Sequence, residues 1–318
     1  MSVAGGVVHL RAPAKINLAL RILGRRADGY HELETLFQAV GLHDVLRLER
    51  TDAPGLELVV EGADVGPVHE NLVWRAAQAF FAELGQPAQG VLLHLEKRIP
   101  AGAGLGGGSS DAAATLRGLQ ALFSTELPHP RLHAIGAALG SDVPFFLGSS
   151  GLALGTGRGE VLQELEPHEP RALVLGLPQV ACGTAAMYGA LARRRAEQGQ
   201  GSAAAMQGGS SSAAQPRTLL PLTHPFDRAA ADALACNDFE PVAMELHPSI
   251  AQALNGLREE HAVPALLSGS GSAVFGFAPT AADAERIATR LSAQVADVDF
   301  VATTTLARLP GPDITFRG

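Results

Sequence analysis

The chain has 318 residues, 47% hydrophobic and 18% charged, with a formal net charge of −8. That length admits two modest domains around a large apolar core, and the acidic balance disfavours broad binding to nucleic acid or to a membrane surface. Two cysteines without a CxxC spacing argue against a disulfide framework; with no bilayer-length apolar run and no signal-peptide order at the N-terminus, a soluble cytoplasmic protein is expected.

Residues 7–10 and 16–22 read as strands separated by Arg11-Ala12-Pro13-Ala14, and residues 24–29 as a basic turn. Residues 45–49 and 56–60 alternate like two paired strands. A helix is predicted from the N-capping Asn71 to Gly85, with Leu72, Val73, Ala76, Ala77, Phe80, Phe81 and Leu84 at helical spacing as its apolar positions. Residues 91–95 form a strand, and residues 112–122 a helix. A helix over 132–139 ends at Gly140, and Ser141-Asp142-Val143-Pro144 starts a short element. Residues 151–159 are glycine-rich. A change of composition near residue 165 divides the chain into domains 1–164 and 165–318.

The second half opens with a strand at 172–177 and a helix at 184–195. Residues 199–216, rich in Gly, Ser, Ala and Gln, read as a mobile surface loop with no chemistry. A helix starts at Pro248 and carries Ile250, Leu254 and Leu257. Strands at 265–267 and 273–277 flank Ser268-Gly269-Ser270-Gly271-Ser272. Thr280 and Asp283 form a capping pair that opens a further helix, and a strand at 300–306 closes the half. This order of strands and helices describes an α+β sandwich.

The strongest local signal lies between the 91–95 strand and the 112–122 helix: Pro100-Ala101-Gly102-Ala103-Gly104-Leu105-Gly106-Gly107-Gly108-Ser109-Ser110-Asp111. Glycines let a backbone approach an anion and adopt positive φ, and the first N–H groups of a helix have no partners within it. Strand, glycine turn and helix together predict a phosphate site. The Gly102-x-Gly104-x-x-Gly107 spacing matches the dinucleotide fingerprint, yet no strand leads to an acidic residue at the required distance, since Glu126 follows a helical stretch. No Gly-Lys-Ser/Thr closes a Walker loop. A flexible linker is the bland alternative, disfavoured because the run joins two patterned elements.

Other residues are candidates for chemistry. Only Lys15 and Lys97 are lysines among 24 basic residues, which hints that a compact ammonium matters at those two sites. Asp142 stands between Gly140 and Pro144, where it serves either as a base for a substrate hydroxyl or as a helix cap. Lys15 is either a cation beside that carboxylate or an edge-strand lysine. Tyr30-His31, next to the basic turn, pairs a stacking ring with an edge-reading imidazole, a combination suited to a nucleobase; ordinary packing is the alternative. His129 and His133 lack a third ligand nearby, so no metal site is expected.

Three blocks, Pro13-Ala14-Lys15-Ile16-Asn17-Leu18, the glycine run at 100–110 and Ser268-Gly269-Ser270-Gly271-Ser272-Ala273, resemble in this order the three motifs of the GHMP kinase superfamily. The segments 24–33 and 139–146 sharpen the match toward the branch that phosphorylates a cytidine diphosphate conjugate of methylerythritol in the non-mevalonate isoprenoid pathway. The resemblance runs from about residue 8 to 306 and breaks at 199–216. It implies a two-domain GHMP kinase fold, with an N-terminal ribosomal-protein-like α/β domain and a C-terminal ferredoxin-like sandwich. It also implies ATP with Mg2+ and a small-molecule acceptor, in a monomer or homodimer that binds no nucleic acid or membrane.

The resemblance assigns residues as well. The run Pro100, Ala101, Gly102, Ala103, Gly104, Leu105, Gly106, Gly107, Gly108, Ser109 and Ser110 would wrap the ATP phosphates, with Asn71 and Lys97 toward the adenosine. Asp142 would deprotonate the 2-hydroxyl, assisted by Lys15, and Asn17 would contact the substrate near that hydroxyl. Tyr30 would stack on cytosine, His31 would read its edge, and Tyr188 would supply a second ring. Thr184, Gly269, Ser270 and Gly271 would lie on the acceptor side. A homoserine- or mevalonate-type kinase and a non-catalytic nucleotide-binding module are the alternatives. Tyr30-His31 argues against the first, and the joint presence of Lys15 and Asp142 against the second. The motif segments also carry Arg21, Arg25, Arg26 and Arg98, cations expected to offset the net acidity locally.

Overall fold

The computed structural model describes residues 6–62, 66–199, 218–219 and 227–316. Two strands, β1 (Gly6–Arg25) and β2 (His31–Arg50), form a long antiparallel hairpin. The interruption expected at residues 11–14 is not a break. It is a register shift between Pro13 and Ala14, the kind of irregularity that accommodates a proline within a sheet. The first part of β2 escaped prediction because residues 33–40 are buried on both faces and so do not alternate.

The next elements are β3 (Leu56–Glu61), a 3-10 turn (Val68–Glu70), α1 (Leu72–Glu83), β4 (Val91–Glu96), α2 (Gly107–Phe123), α3 (His129–Leu139) and α4 (Val143–Leu147). Asn71 caps α1 as expected, its Oδ1 accepting from the Val73 amide at 2.9 Å. Strand β5 (Leu152–Thr156) lies in the glycine-rich stretch, and β6 (Val161–Glu164) follows it. The first sheet runs β12-β1-β2-β4-β3, where β12 is Asp313–Phe316, with β5 also on β2, β6 on β5, and β8 (Cys236–Asn237) on β1. The expected pairing of 45–49 with 56–60 is corrected: β4 lies between them, antiparallel to β2 and parallel to β3. Parallel neighbours need a long crossover, and the segment carrying α1 provides it.

The remaining elements are β7 (Ala172–Pro178), α5 (Thr184–Glu197), α6 (Arg228–Ala233), β8 (Cys236–Asn237), α7 (Glu240–Leu246), α8 (Pro248–Glu259), β9 (Ala265–Leu267), β10 (Val274–Phe277), α9 (Ala281–Gln294), β11 (Val298–Thr304) and β12 (Asp313–Phe316). Strands β11-β7-β10-β9 form a four-stranded antiparallel sheet. The Thr280–Asp283 capping pair holds the start of α9: the Thr280 hydroxyl accepts from the Asp283 amide at 3.1 Å. Short elements such as α6, α7 and β8 carry too few residues to show a period. Strands β8 and β12 come from beyond residue 165 yet pair with β1, so the chain crosses back over the expected division twice. Apart from Gly199, the loop expected at 199–216 lies outside the described residues.

The period-2 pattern of the second sheet explains the layering. Val174, Leu267 and Val274 pack with α8 and α9 residues such as Leu254, Leu257, Ile287 and Leu291. Their neighbours Leu173, Leu175, Leu266 and Phe275 face the other way, onto Ile16, Leu36, Val40 and Leu154 of the first sheet. A third cluster joins β1, β2 and β4 to α1, α2 and α4. Two sheets thus pack on each other with helices outside both, and the three motif blocks meet at the seam.

Candidate active site

Helix α2 begins at Gly107, inside the glycine run and earlier than residue 112. Gly106 occupies the N-cap with φ +71° and no side-chain cap, so the first amides of α2 are left for a ligand. The loop and this first turn line a cavity of about 410 Å³, with Asn71, Leu72, Lys97 and Asp111 on its other walls. Two buried atoms beside it, Ser110 Oγ and Asp111 Oδ1, have no hydrogen-bond partner among the described residues. A cavity of positive-φ backbone and open helix amides, with the unpartnered Ser110 hydroxyl beside it as a further donor, suits a polyphosphate.

The two glycine turns touch backbone to backbone. Gly104 has φ +75°, and a Cβ there would come within 2.2 Å of the Ser268 carbonyl oxygen. The Ser268 hydroxyl donates to the Gly104 carbonyl at 3.0 Å, and the Ala273 amide to the Ala103 carbonyl at 3.0 Å. The first block joins them through the Lys15 amide, which donates to the Leu105 carbonyl at 2.9 Å. Asn237, which the sequence did not single out, braces the second turn by donating to the Leu267 and Gly269 carbonyls at 2.8 and 2.9 Å.

Lys15 sits at the centre of this junction, only 3% exposed. Its ammonium donates to Asn17 Oδ1 and to the Gly104 carbonyl, both at 2.8 Å, and lies 3.6 Å from Asp142 Oδ2. Burial lowers the Lys15 pKa, and the Asp142 carboxylate opposes that shift. Asn17 is itself held, donating to Thr35 Oγ1 at 2.7 Å, while the Thr35 hydroxyl donates to the Ala19 carbonyl at 2.8 Å. Asp142 heads α4, but its side chain caps no amide of that helix. The carboxylate, 30% exposed, instead faces Lys15 and solvent. An acceptor group backed by a buried cation can take a proton from a hydroxyl and stabilise charge that develops there.

Lys97 lines the cavity but is not a free cation. Its ammonium donates to Asp44 Oδ2 and, at 2.8 Å, to Asp111 Oδ2. The other Asp44 oxygen accepts from the Arg98 and Ile99 amides at 2.6 and 2.8 Å. Burial pushes the ammonium down, but the two carboxylates outweigh it and hold the Lys97 pKa above its ordinary value. The expected basic cluster is largely neutralised in the same way: Arg26 pairs with Glu32 and Asp28, and Arg98 with Glu96. With these cations committed, the cavity is left with the open backbone amides of the loop and helix start as the groups that could meet an anion. An aspartate within an apolar strand was the available signal for Asp44.

At the other end of the site, Tyr30 is 56% exposed at the tip of the β1–β2 hairpin, with the Arg158 guanidinium 4.8 Å from its ring centroid. His31 stacks on Tyr188 at 4.1 Å with a 12° interplanar angle. It is this imidazole, and not the Tyr30 ring, that covers Tyr188 in the structure. Burial lowers the His31 pKa, as do Arg25 and Arg195. Burial raises that of Tyr188, and so does the charge of Asp142. Thr184, the first residue of α5, meets Ser270 of the second glycine turn, hydroxyl to hydroxyl at 3.1 Å. His129 and His133 rings lie 6.3 Å apart, and the described residues contain no group of three or more His, Cys, Asp or Glu that could hold a metal. No helix among them is long and apolar enough to cross a membrane.

Residues 71–150 match the GHMP kinases N terminal domain and residues 226–297 the GHMP kinases C terminal. The chain is 41% identical over 286 residues to a protein of Pelotomaculum thermopropionicum named 4-diphosphocytidyl-2-C-methyl-D-erythritol kinase, covering 89% of this chain and 93% of the relative. A protein of the same name from Moorella thermoacetica is 42% identical over 285 residues, covering 90% and 95%. Among solved structures, that of a 4-(cytidine 5'-diphospho)-2C-methyl-D-erythritol kinase superposes with a TM-score of 0.73 at 37% identity, covering 93% of this chain and 98% of the other. A homoserine kinase from Cytophaga hutchinsonii superposes with a TM-score of 0.68 at 16% identity, covering 99% and 98%, a likeness of fold alone.

Proposed function

Because the chain belongs to the 4-diphosphocytidyl-2-C-methyl-D-erythritol kinases within the GHMP kinases, we propose that it transfers the γ-phosphoryl group of ATP to the 2-hydroxyl of that cytidine conjugate, giving the 2-phosphate and ADP in the non-mevalonate isoprenoid pathway. The observation that carries the reading is the Lys15 ammonium, which touches the Gly104 carbonyl of the nucleotide loop and faces the Asp142 carboxylate. One side chain thus joins the phosphate cradle to the base.

In this reading ATP occupies the cavity beside the glycine run. The amides of residues 102–110 hold its phosphates, and Asn71 and Lys97 flank the adenosine. The acceptor hydroxyl lies against Asp142, which takes its proton as the oxygen attacks the γ-phosphorus and the bond to the bridging oxygen of ADP breaks. Lys15 stabilises charge on the transferring group, and Asn17 orients Lys15 and the acceptor. Such transfer depends on positioning and charge stabilisation more than on covalent chemistry. Tyr30, His31 and Tyr188 hold the cytosine, and Thr184 with residues 269–271 hold the remainder of the acceptor.

Mg2+ fits as part of the incoming ATP complex. It binds through phosphate oxygens and few protein carboxylates, and the described residues assemble no cage of their own. A cytoplasmic monomer or homodimer that binds no nucleic acid, divided at residue 165, completes the reading. The test is a coupled ADP-release assay with a panel of acceptors. Turnover with the cytidine conjugate is expected; turnover with mevalonate or homoserine in its place would overturn the acceptor assignment.

A further inference from the structure

Tyr30 is exposed at the tip of a hairpin, where a side chain is ordinarily free to rotate. It is not unsupported here. The turn between β5 and β6 comes up beside the hairpin and is tied to it by the Leu33 amide, which donates to the Gly157 carbonyl at 2.8 Å. From this turn Arg158 lays its guanidinium 4.8 Å from the Tyr30 ring centroid. Arg158 is fixed in turn by Glu160, which accepts from its amide at 2.6 Å and from Nε at 3.2 Å. A guanidinium on one ring face is attractive. It also leaves the opposite face as the one a planar ligand can take.

We infer that Arg158 is a positioning residue for the acceptor, holding the Tyr30 ring in the orientation that stacks on the substrate's nucleobase. This rests on the acceptor assignment made above. The role needs the planar, delocalised cation, since an ammonium is a point charge that cannot lie flat on a ring. Glu160 serves by aiming Arg158, and the hairpin–turn hydrogen bond keeps the two segments in register.

The test compares Arg158→Met, Arg158→Lys and Tyr30→Ala in steady-state kinetics, with cytidine as a competitive probe that lacks phosphates. Arg158→Met is expected to raise the KM for the cytidine conjugate about threefold to fivefold, the range of an exposed cation–π contact. The KM for ATP and kcat stay as in the parent protein, and cytidine inhibition weakens in proportion. Arg158→Lys recovers little of the loss, and Arg158→Met adds nothing in the Tyr30→Ala background. An unchanged KM in both Arg158 variants would overturn the role, as would weakening confined to the phosphate-bearing substrate. Parent protein that does not turn over the cytidine conjugate would instead overturn the acceptor assignment, and this role with it.

Discussion

Asp142 heads helix α4 yet turns its carboxylate away from that helix, to within 3.6 Å of the Lys15 ammonium. A helix-heading aspartate ordinarily accepts from amides of the first turn. That it does not do so here separates the two roles the residue could have had. Asp142→Asn should therefore lower kcat by about 10²- to 10⁴-fold, the usual contribution of a general base. ATP binding and the thermal midpoint should stay close to those of the parent protein. A collapse of stability in thermal melts, with activity lost in proportion, would return the residue to a capping role.

Tyr30→Ala should separate the two substrates. The ring is largely exposed, so its removal should barely affect folding. Stacking of a base on an aromatic ring is worth about 1–3 kcal/mol, and a KM for the cytidine conjugate about tenfold higher is expected. The KM for ATP should not move. Equal rises in both would contradict the stacking role.

Gly104 and Gly102 offer a controlled comparison. Both have positive φ, but a Cβ at Gly102 meets open space, whereas one at Gly104 meets the Ser268 carbonyl. Gly102→Ala should cost about 1–2 kcal/mol in urea unfolding, the conformational term alone. Gly104→Ala should cost clearly more, because two backbones must part. Equal losses would mean that the turn–turn contact contributes nothing.

Asp111 predicts a pH dependence of stability. Burial raises its carboxyl to about 8, with Asp44 adding to the rise and Lys97 opposing it. Unfolded, the group returns to about 3.9. Between those values the folded chain binds more protons than the unfolded one, so this contribution is full below about pH 4 and is lost as the pH rises toward 8. Lys97, held above its ordinary value, titrates in a higher window. Asp111→Asn should flatten the decline of the thermal midpoint between about pH 4 and pH 8. Parallel curves for the variant and the parent protein would rule the assignment out.

Much of the site was legible locally. Glycines at close spacing, a lysine in a chain that otherwise uses arginine, and Tyr30-His31 beside a turn are marked by residue type and immediate neighbours. Helix α1 showed its period and its cap, α8 its first-turn proline and apolar positions, and α9 its capping pair. The partners of those residues were not legible. Asp44 meets Lys97 from 53 positions away, and Asn237 reaches the Leu267 carbonyl across 30. Each is a single polar residue whose meaning lies in what folding brings beside it.

The sequence by itself determined the order of the motif blocks, the strand–glycine turn–helix unit and the family. Those depend on backbone freedom and on short-range residue type. The tertiary structure decided that Asp142 faces Lys15 and does not cap its helix, and that Lys97 is committed to two aspartates. It also decided that β4 separates β2 from β3 and that His31 covers Tyr188. For the charged groups the physical reason is shared. Burial makes an unpaired charge or polar group costly, so each group takes whatever partner the packed sheets bring within reach, and that choice is made by the whole fold.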